Sequence, residues 1–170
     1  MTDWAVTFRK QLYASADGLI WAFSQLAPYR YEQLPPDPGY LGTWPPARLV
    51  WHVAEYERCL ALPSMQQWLG GEMPRADAWP DSDEAWEYVF DRSFNSLASA
   101  FLKIRQQQID LLDELAGTDW EGLYDTGWGP RSLAWIVTKS IQHTFEHGDM
   151  LLRMVLWWDI IEQEIAQGNG

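Results

Sequence analysis

Ile141-Gln142-His143-Thr144-Phe145-Glu146-His147-Gly148-Asp149 carries two of the chain's three histidines, four residues apart. On an α-helix that spacing puts both imidazoles on one face, one turn apart, which suits two ligands of one metal ion. The surrounding segment reads as one long helix. Pro130 suits its first turn, and the pattern continues to about Ala166. With His143 at zero and about 100° per residue, Ile136, Ser140, His147, Met150 and Met154 fall within about 60° of it. Thr138, Lys139, Gln142, Glu146, Asp149 and Arg153 crowd into a polar sector, and Ala134, Val137, Ile141, Phe145, Leu152 and Val155 form a further apolar face. Such a helix is expected to bury two sides, centrally in a bundle or at a dimer interface.

The third histidine, His52, lies 91 positions upstream. Its helix is expected to start near residues 43–46, with Thr43 as N-cap and prolines in the first turn. It runs to about Leu62, where Pro63 kinks or ends it, and a short piece continues to Leu69 before Gly70-Gly71. On this helix Leu49, Tyr56, Cys59 and Leu60 share the face of His52. Three core-facing imidazoles, with none elsewhere, point to one shared cation. Two adjacent buried imidazoles otherwise each need partners for both nitrogens, and their proximity makes charging costly.

Two other helices complete the pattern. Residues 3–27 repeat Trp4, Phe8, Leu12, Leu19, Phe23 and Leu26 at helical spacing, and Pro28 stops the run. Residues 29–44 hold three prolines and two glycines and read as a long non-helical connection, able to cross the length of a bundle. A loop follows over residues 72–80. Asp81 or Ser82 is then expected to cap a third helix that carries Trp86, Phe90, Leu97, Phe101, Ile104, Leu111 and Leu115 to Ala116-Gly117. Residues 118–129 read as a loop. No strand pattern competes, so the expectation is one all-α domain over residues 1–170, a four-helix bundle.

Composition narrows the function. The chain has 170 residues, a net charge of −12 and a pI near 4.5. That excludes an electrostatic nucleic-acid footprint and disfavours anionic membranes. No apolar run approaches a membrane span of ~20 residues. The single cysteine, Cys59, precludes an internal disulfide and fits a cytoplasmic protein. Twelve tryptophans are available for the core, a pocket or a subunit interface.

Three neutral imidazoles suit Zn²⁺, and also Ni²⁺ or Fe²⁺, and leave a coordination position open. Cys59 lies about 10 Å from His52 along the helix and is a packed thiol rather than a fourth ligand. Glu55 and Glu146 flank the histidine faces as candidate hydrogen-bond acceptors or bases. His143 to His147 also spells H-x-x-E-H, with Glu146 as the base of a protease pattern. H-E-x-x-H fails at Thr144. E-x-x-H fails because Leu49, Ser140 and Thr144 stand three before the histidines.

His52 followed by Glu57, the pair His143 and His147 followed by Gly148, and the helix layout together resemble the DinB/YfiT-like superfamily of bacterial metal-binding bundles. The resemblance implies an up-up-down-down bundle with a long first connection, often a homodimer, holding a divalent metal at His52, His143 and His147. Relatives include bacillithiol-using S-transferases and a mycothiol-dependent maleylpyruvate isomerase. Where relatives often carry Gln soon after the Gly, this chain has Asp149 and Met150. The implied activity is metal-dependent S-transfer from a low-molecular-weight thiol to a small-molecule electrophile. A metal hydrolase with Glu146 as base, and a non-catalytic metal-binding bundle, are the competing expectations.

Overall fold

The structure, a computed structural model, describes residues 4–75 and 79–168. The expected helix start at Asp3 and the fraying of Asn169 and Gly170 lie outside the described residues. Helices dominate: α1 (Trp4–Ser24), α2 (Pro38–Leu41), α3 (Pro46–Tyr56), α4 (Leu62–Gln66), α5 (Asp83–Glu87), α6 (Phe94–Glu114) and α7 (Leu133–Ala166). A hairpin of β1 (Leu123–Thr126) and β2 (Gly129–Ser132) precedes α7.

Two apolar clusters mark the ends of the bundle and give each helix its direction. One holds Leu19 and Phe23 of α1, Leu49 and Val53 of α3, Leu97 and Phe101 of α6, and Leu151 and Trp158 of α7. The other holds Phe8 and Leu12 of α1, Met65 of α4, Ile109 and Leu112 of α6, and Leu133 and Val137 of α7. Helices α1 and α7 therefore run one way, and α3 and α6 the other. Residue pairs agree. Arg9 meets Asp113 and Tyr13 meets Gln106, so α1 and α6 are antiparallel. His52 meets His143 while Glu57 meets Ser140, so α3 and α7 are antiparallel too.

The order is thus up-down-down-up, which corrects the expected up-up-down-down. The physical reason is that length permits a crossover without demanding one. The long first connection begins and ends at the same end of the bundle. It is tied down by the Ala47 amide on Tyr31 O (2.9 Å) and by Arg30 between Asp159 and Glu162 of α7. It also contains a helical turn the prolines seemed to forbid: Asp37 caps α2, accepting from the amides of Gly39 and Tyr40, and Pro38 occupies N1. The crossover lies instead between the end of α4 and the start of α6.

Further local corrections have local causes. Pro45 rather than Thr43 precedes the first turn of α3. The helix continues past Pro63 because it widens into a π-turn at Glu57–Ala61. Residue 59, whose carbonyl the Pro63 ring would strike in a regular helix, lies inside that turn. Gly70, at φ 87°, then stops the run in the left-handed region. The expected third helix is broken into α5 and α6. Ser82 caps the first and Ser93 the second, and Phe90 between them is fully exposed rather than part of a stripe. Residues 123–132 form a hairpin within the stretch read as a plain loop, and Ser132, not Pro130, begins α7 as its cap.

Candidate metal centre

His52 projects from the middle of α3, and His143 and His147 from successive turns of α7. His52 and His143 are buried and His147 is half-buried. The antiparallel packing of α3 on α7 brings the three Nε2 atoms together. His143 Nε2 lies 3.2 Å from that of His52 and 3.2 Å from that of His147. One ligand atom from each histidine falls within 4.8 Å of the other two, and no cysteine or carboxylate joins the group among the described residues.

The donor chemistry fits a divalent cation. His52 Nδ1 lies 2.9 Å from Asp81 Oδ1, and a carboxylate accepts rather than donates, so the contact suits the tautomer with its proton on Nδ1 and a bare Nε2. The Nδ1 atoms of His143 and His147 are buried without a partner. Burial, with the neighbouring imidazoles next in effect, holds the His143 pKa down to about 2. His147 is held down to about 4, first by burial and then by His52. His52 is lowered by burial, partly offset by Asp81. All three are therefore neutral near pH 7, the form that ligates. Tetrahedral coordination at the usual Zn–N length of ~2.0–2.1 Å separates ligand nitrogens by about 3.3 Å, close to the spacing found.

Aromatic rings wall the site. Trp44 and Trp79 each lie 4.9 Å from the His52 ring, and Tyr56 lies 4.1 Å from that of His143. Trp128, at the turn of the hairpin, reaches Tyr56 at 6.3 Å. Trp44, Trp79 and His147 are half-buried, so the approach from solvent lies on this side.

A buried polar layer adjoins the histidines. Glu57 is fully buried, turned inward by the π-turn. It accepts from Arg105 Nη2 (2.9 Å), from Ser140 Oγ (2.8 Å to both oxygens) and from Gln108. Arg105 also donates to Thr144 Oγ1 at 2.6 Å. Ser140 and Thr144 flank His143 on α7, so this layer fixes the rotation of α7 that aims its histidines at α3.

The expected ligands His52, His143 and His147 do come together. The other candidates do not join them. Glu55 pairs with Arg58, and Glu146 sits at the surface with Gln142 and Lys139. Cys59 is buried, its thiol pushed up by burial, and it contacts Glu55 at 3.9 Å. Asp81 and Trp79 were not foreseen at the site. Asp81 reads as a helix cap, and its approach to His52 depends on the path of the crossover.

The sequence model of the DinB superfamily matches residues 11–151. The crystal structure of a mutant of the mycothiol-dependent maleylpyruvate isomerase is similar in fold, with a TM-score of 0.64 and 15% identity over 89% of this chain. The chain spans 63% of that protein's length. No curated protein matches the sequence. Among the described residues, no helix is long and apolar enough to cross a membrane.

Proposed function

We propose that this chain, which belongs to the DinB superfamily, binds one divalent metal ion through His52, His143 and His147 and is a thiol-dependent S-transferase. The observation that carries the metal reading is the convergence of the three Nε2 atoms without a fourth protein ligand among the described residues. Zinc is the metal proposed, on the all-nitrogen donor set. A bound divalent ion lowers the pKa of a thiol that ligates it, and so makes a nucleophile near neutral pH.

The residues present support that chemistry. The histidines hold their neutral form by burial. Trp44, Trp79 and Tyr56 offer apolar surface to a small electrophile on the side from which solvent approaches. A low-molecular-weight thiol as cosubstrate is favoured by the mycothiol dependence of the isomerase of similar fold. A hydrolase reading loses its proposed base, because Glu146 is held by Gln142 and Lys139 at the surface. The same proposal pairs the chain with a second copy through the outer stripe of α7, where Phe145, Leu156 and Ile160 stay exposed.

The test is elemental analysis of the purified protein, followed by thiol-conjugation assays on metal-loaded and metal-stripped samples. One equivalent of metal, lost in His52→Ala, and conjugation only by the loaded protein are expected. Absence of bound metal, with His52→Ala indistinguishable from the parent, refutes the metal site. Metal binding without conjugation of any thiol refutes the transferase.

A further inference from the structure

Asp81 belongs to none of the bundle helices, yet it makes the contact that separates His52 from the other two histidines. Its Oδ1 lies 2.9 Å from His52 Nδ1, whereas Nδ1 of His143 and of His147 is buried and unpartnered. The crossover is seated on α3 at three points. Trp79 packs on the His52 ring at 4.9 Å and on Tyr56 at 5.5 Å. Asp81 takes His52, and its own amide donates to Trp79 O at 2.9 Å. Asp83 then pairs with Arg48 at 2.6 Å.

The spacing explains the fit. Ser82, between the two aspartates, is extended, with φ −135° and ψ 160°. Two residues of extended chain span about 6.6 Å. Arg48 and His52 are four apart on one helix face, a rise of about 6 Å. Two carboxylates on the crossover therefore match two basic groups on α3, in reverse order. Asp83 is largely exposed, so its pair with Arg48 adds little energy and serves as a register mark. The Asp81 side chain is 27% exposed and faces a His52 side chain that is 7% exposed.

We infer that Asp81 is the positioning residue of the metal centre: it fixes His52 as the Nδ1-protonated tautomer, aims Nε2 at the ion and raises its basicity. A carboxylate behind a ligating imidazole does this wherever the pair occurs, and its loss costs 10- to 100-fold in metal affinity. The inference rests on the proposed metal site, and it adds that the crossover, not only the bundle, sets the strength of that site. Of the three ligands, His52 is then the most basic, and His143 and His147 contribute to binding mainly through their fixed geometry.

The experiment is competitive titration of Co²⁺ and Zn²⁺ against a chromogenic chelator with the full chain. It uses the parent, Asp81→Ala, Asp81→Asn and Asp83→Asn. Imidazole ¹⁵N spectra of the metal-free proteins report the His52 tautomer. The expected result is a 10- to 100-fold loss of affinity in Asp81→Ala and a smaller loss in Asp81→Asn, which still accepts the Nδ1 proton but carries no charge. Asp83→Asn stays within about threefold. His52 is Nδ1-protonated in the parent and leaves that tautomer in Asp81→Ala. A loss below tenfold in Asp81→Ala, or an unchanged His52 tautomer, overturns the inference. If Asp81→Ala does not fold, parental affinity in Asp81→Asn overturns it. Failure of the parent to bind either ion instead overturns the metal site on which it rests.

Discussion

Replacing Glu57 tests the buried polar layer directly. Glu57 is fully buried and Arg105 is 1% exposed. The Nε and Nη1 atoms of Arg105 already lack partners, so its charge rests on Nη2 contacts to Glu57 and Thr144. Glu57→Ala leaves a buried guanidinium without a counterion, which costs about 3–5 kcal/mol. A domain of this kind holds about 5–15 kcal/mol in total. With a urea slope of about 2 kcal/mol/M, the unfolding midpoint should fall by about 1.5–2.5 M. Burial is the first cause of the shifts on both partners: it pushes the Glu57 carboxyl up and the Arg105 guanidinium down. Desolvation therefore outweighs pairing, and removing both charges should be far cheaper than removing one. Glu57→Leu with Arg105→Met should recover most of the loss. The assay is urea unfolding of metal-stripped protein, so that ligand binding adds nothing to either state. Glu55→Ala, which breaks the half-exposed pair with Arg58 and the weak 3.9 Å contact from Cys59 Sγ, is the control and should cost about 0–1 kcal/mol. A Glu57→Ala midpoint within about 0.5 M of the parent, or a double variant no better than Glu57→Ala, refutes the reasoning.

Metal-free protein should lose stability as pH falls below about 6.5. The folded pKa values of His143 and His147 lie below the ordinary value, so the unfolded chain binds more protons there and stability rises with pH. From pH 8 to 5.5 the two together should remove about 3 kcal/mol, read by urea midpoints; replacing both with Gln should flatten the slope. Gly18→Ala in α1 should stabilise by about 0.5–1 kcal/mol, since a Cβ there meets nothing within 4 Å. Gly148→Leu should destabilise, because a Cβ at Gly148 already lies 3.9 Å from Leu19 Cα of α1; thermal melts of the two variants should shift in opposite directions. Ser132→Ala removes the side chain that accepts from the Trp135 amide at the start of α7 and should cost about 1 kcal/mol in the same melts.

The long helices and the histidine triad were legible because both depend on local periodicity. His143 and His147 lie four apart on a segment whose apolar faces leave them inward, and His52 shares an apolar stripe. Helix direction was not legible, because residues 29–44 are long enough either to cross the bundle or to fold back at one end. Contacts such as Arg30 with Asp159, 129 positions away, decide that, and no local pattern encodes them. The break between α5 and α6 had a signal in Ser93, but Phe90 continued the helical spacing and masked it. Asp81 read in sequence only as a cap for the third helix, an alternative to Ser82. The cap role fell to Ser82, whose hydroxyl accepts from Ala85, and this left Asp81 free to meet His52.

The position of the polar groups within the bundle links its fold to its site. The two apolar clusters are distinct, and the layer that joins them contains His52, His143, Glu57, Arg105, Gln108, Ser140 and Thr144. Apolar packing alone would tolerate a slide of α7 along α3 by one turn, since both present long apolar stripes. The polar layer does not tolerate it: a one-turn slide brings one of Ser140 and Thr144 into the other's place and carries the other away, so the Glu57–Arg105 pair loses one of its two hydroxyl partners. The same slide would put one of His143 and His147 in the other's place and carry the other about 5.4 Å further from His52, so the three imidazoles would no longer meet. The meeting of the three histidines and the helix register are thus set by one group of contacts. Each polar group there reduces the apolar burial available to the core, and the return is a single register in which three imidazoles face one point.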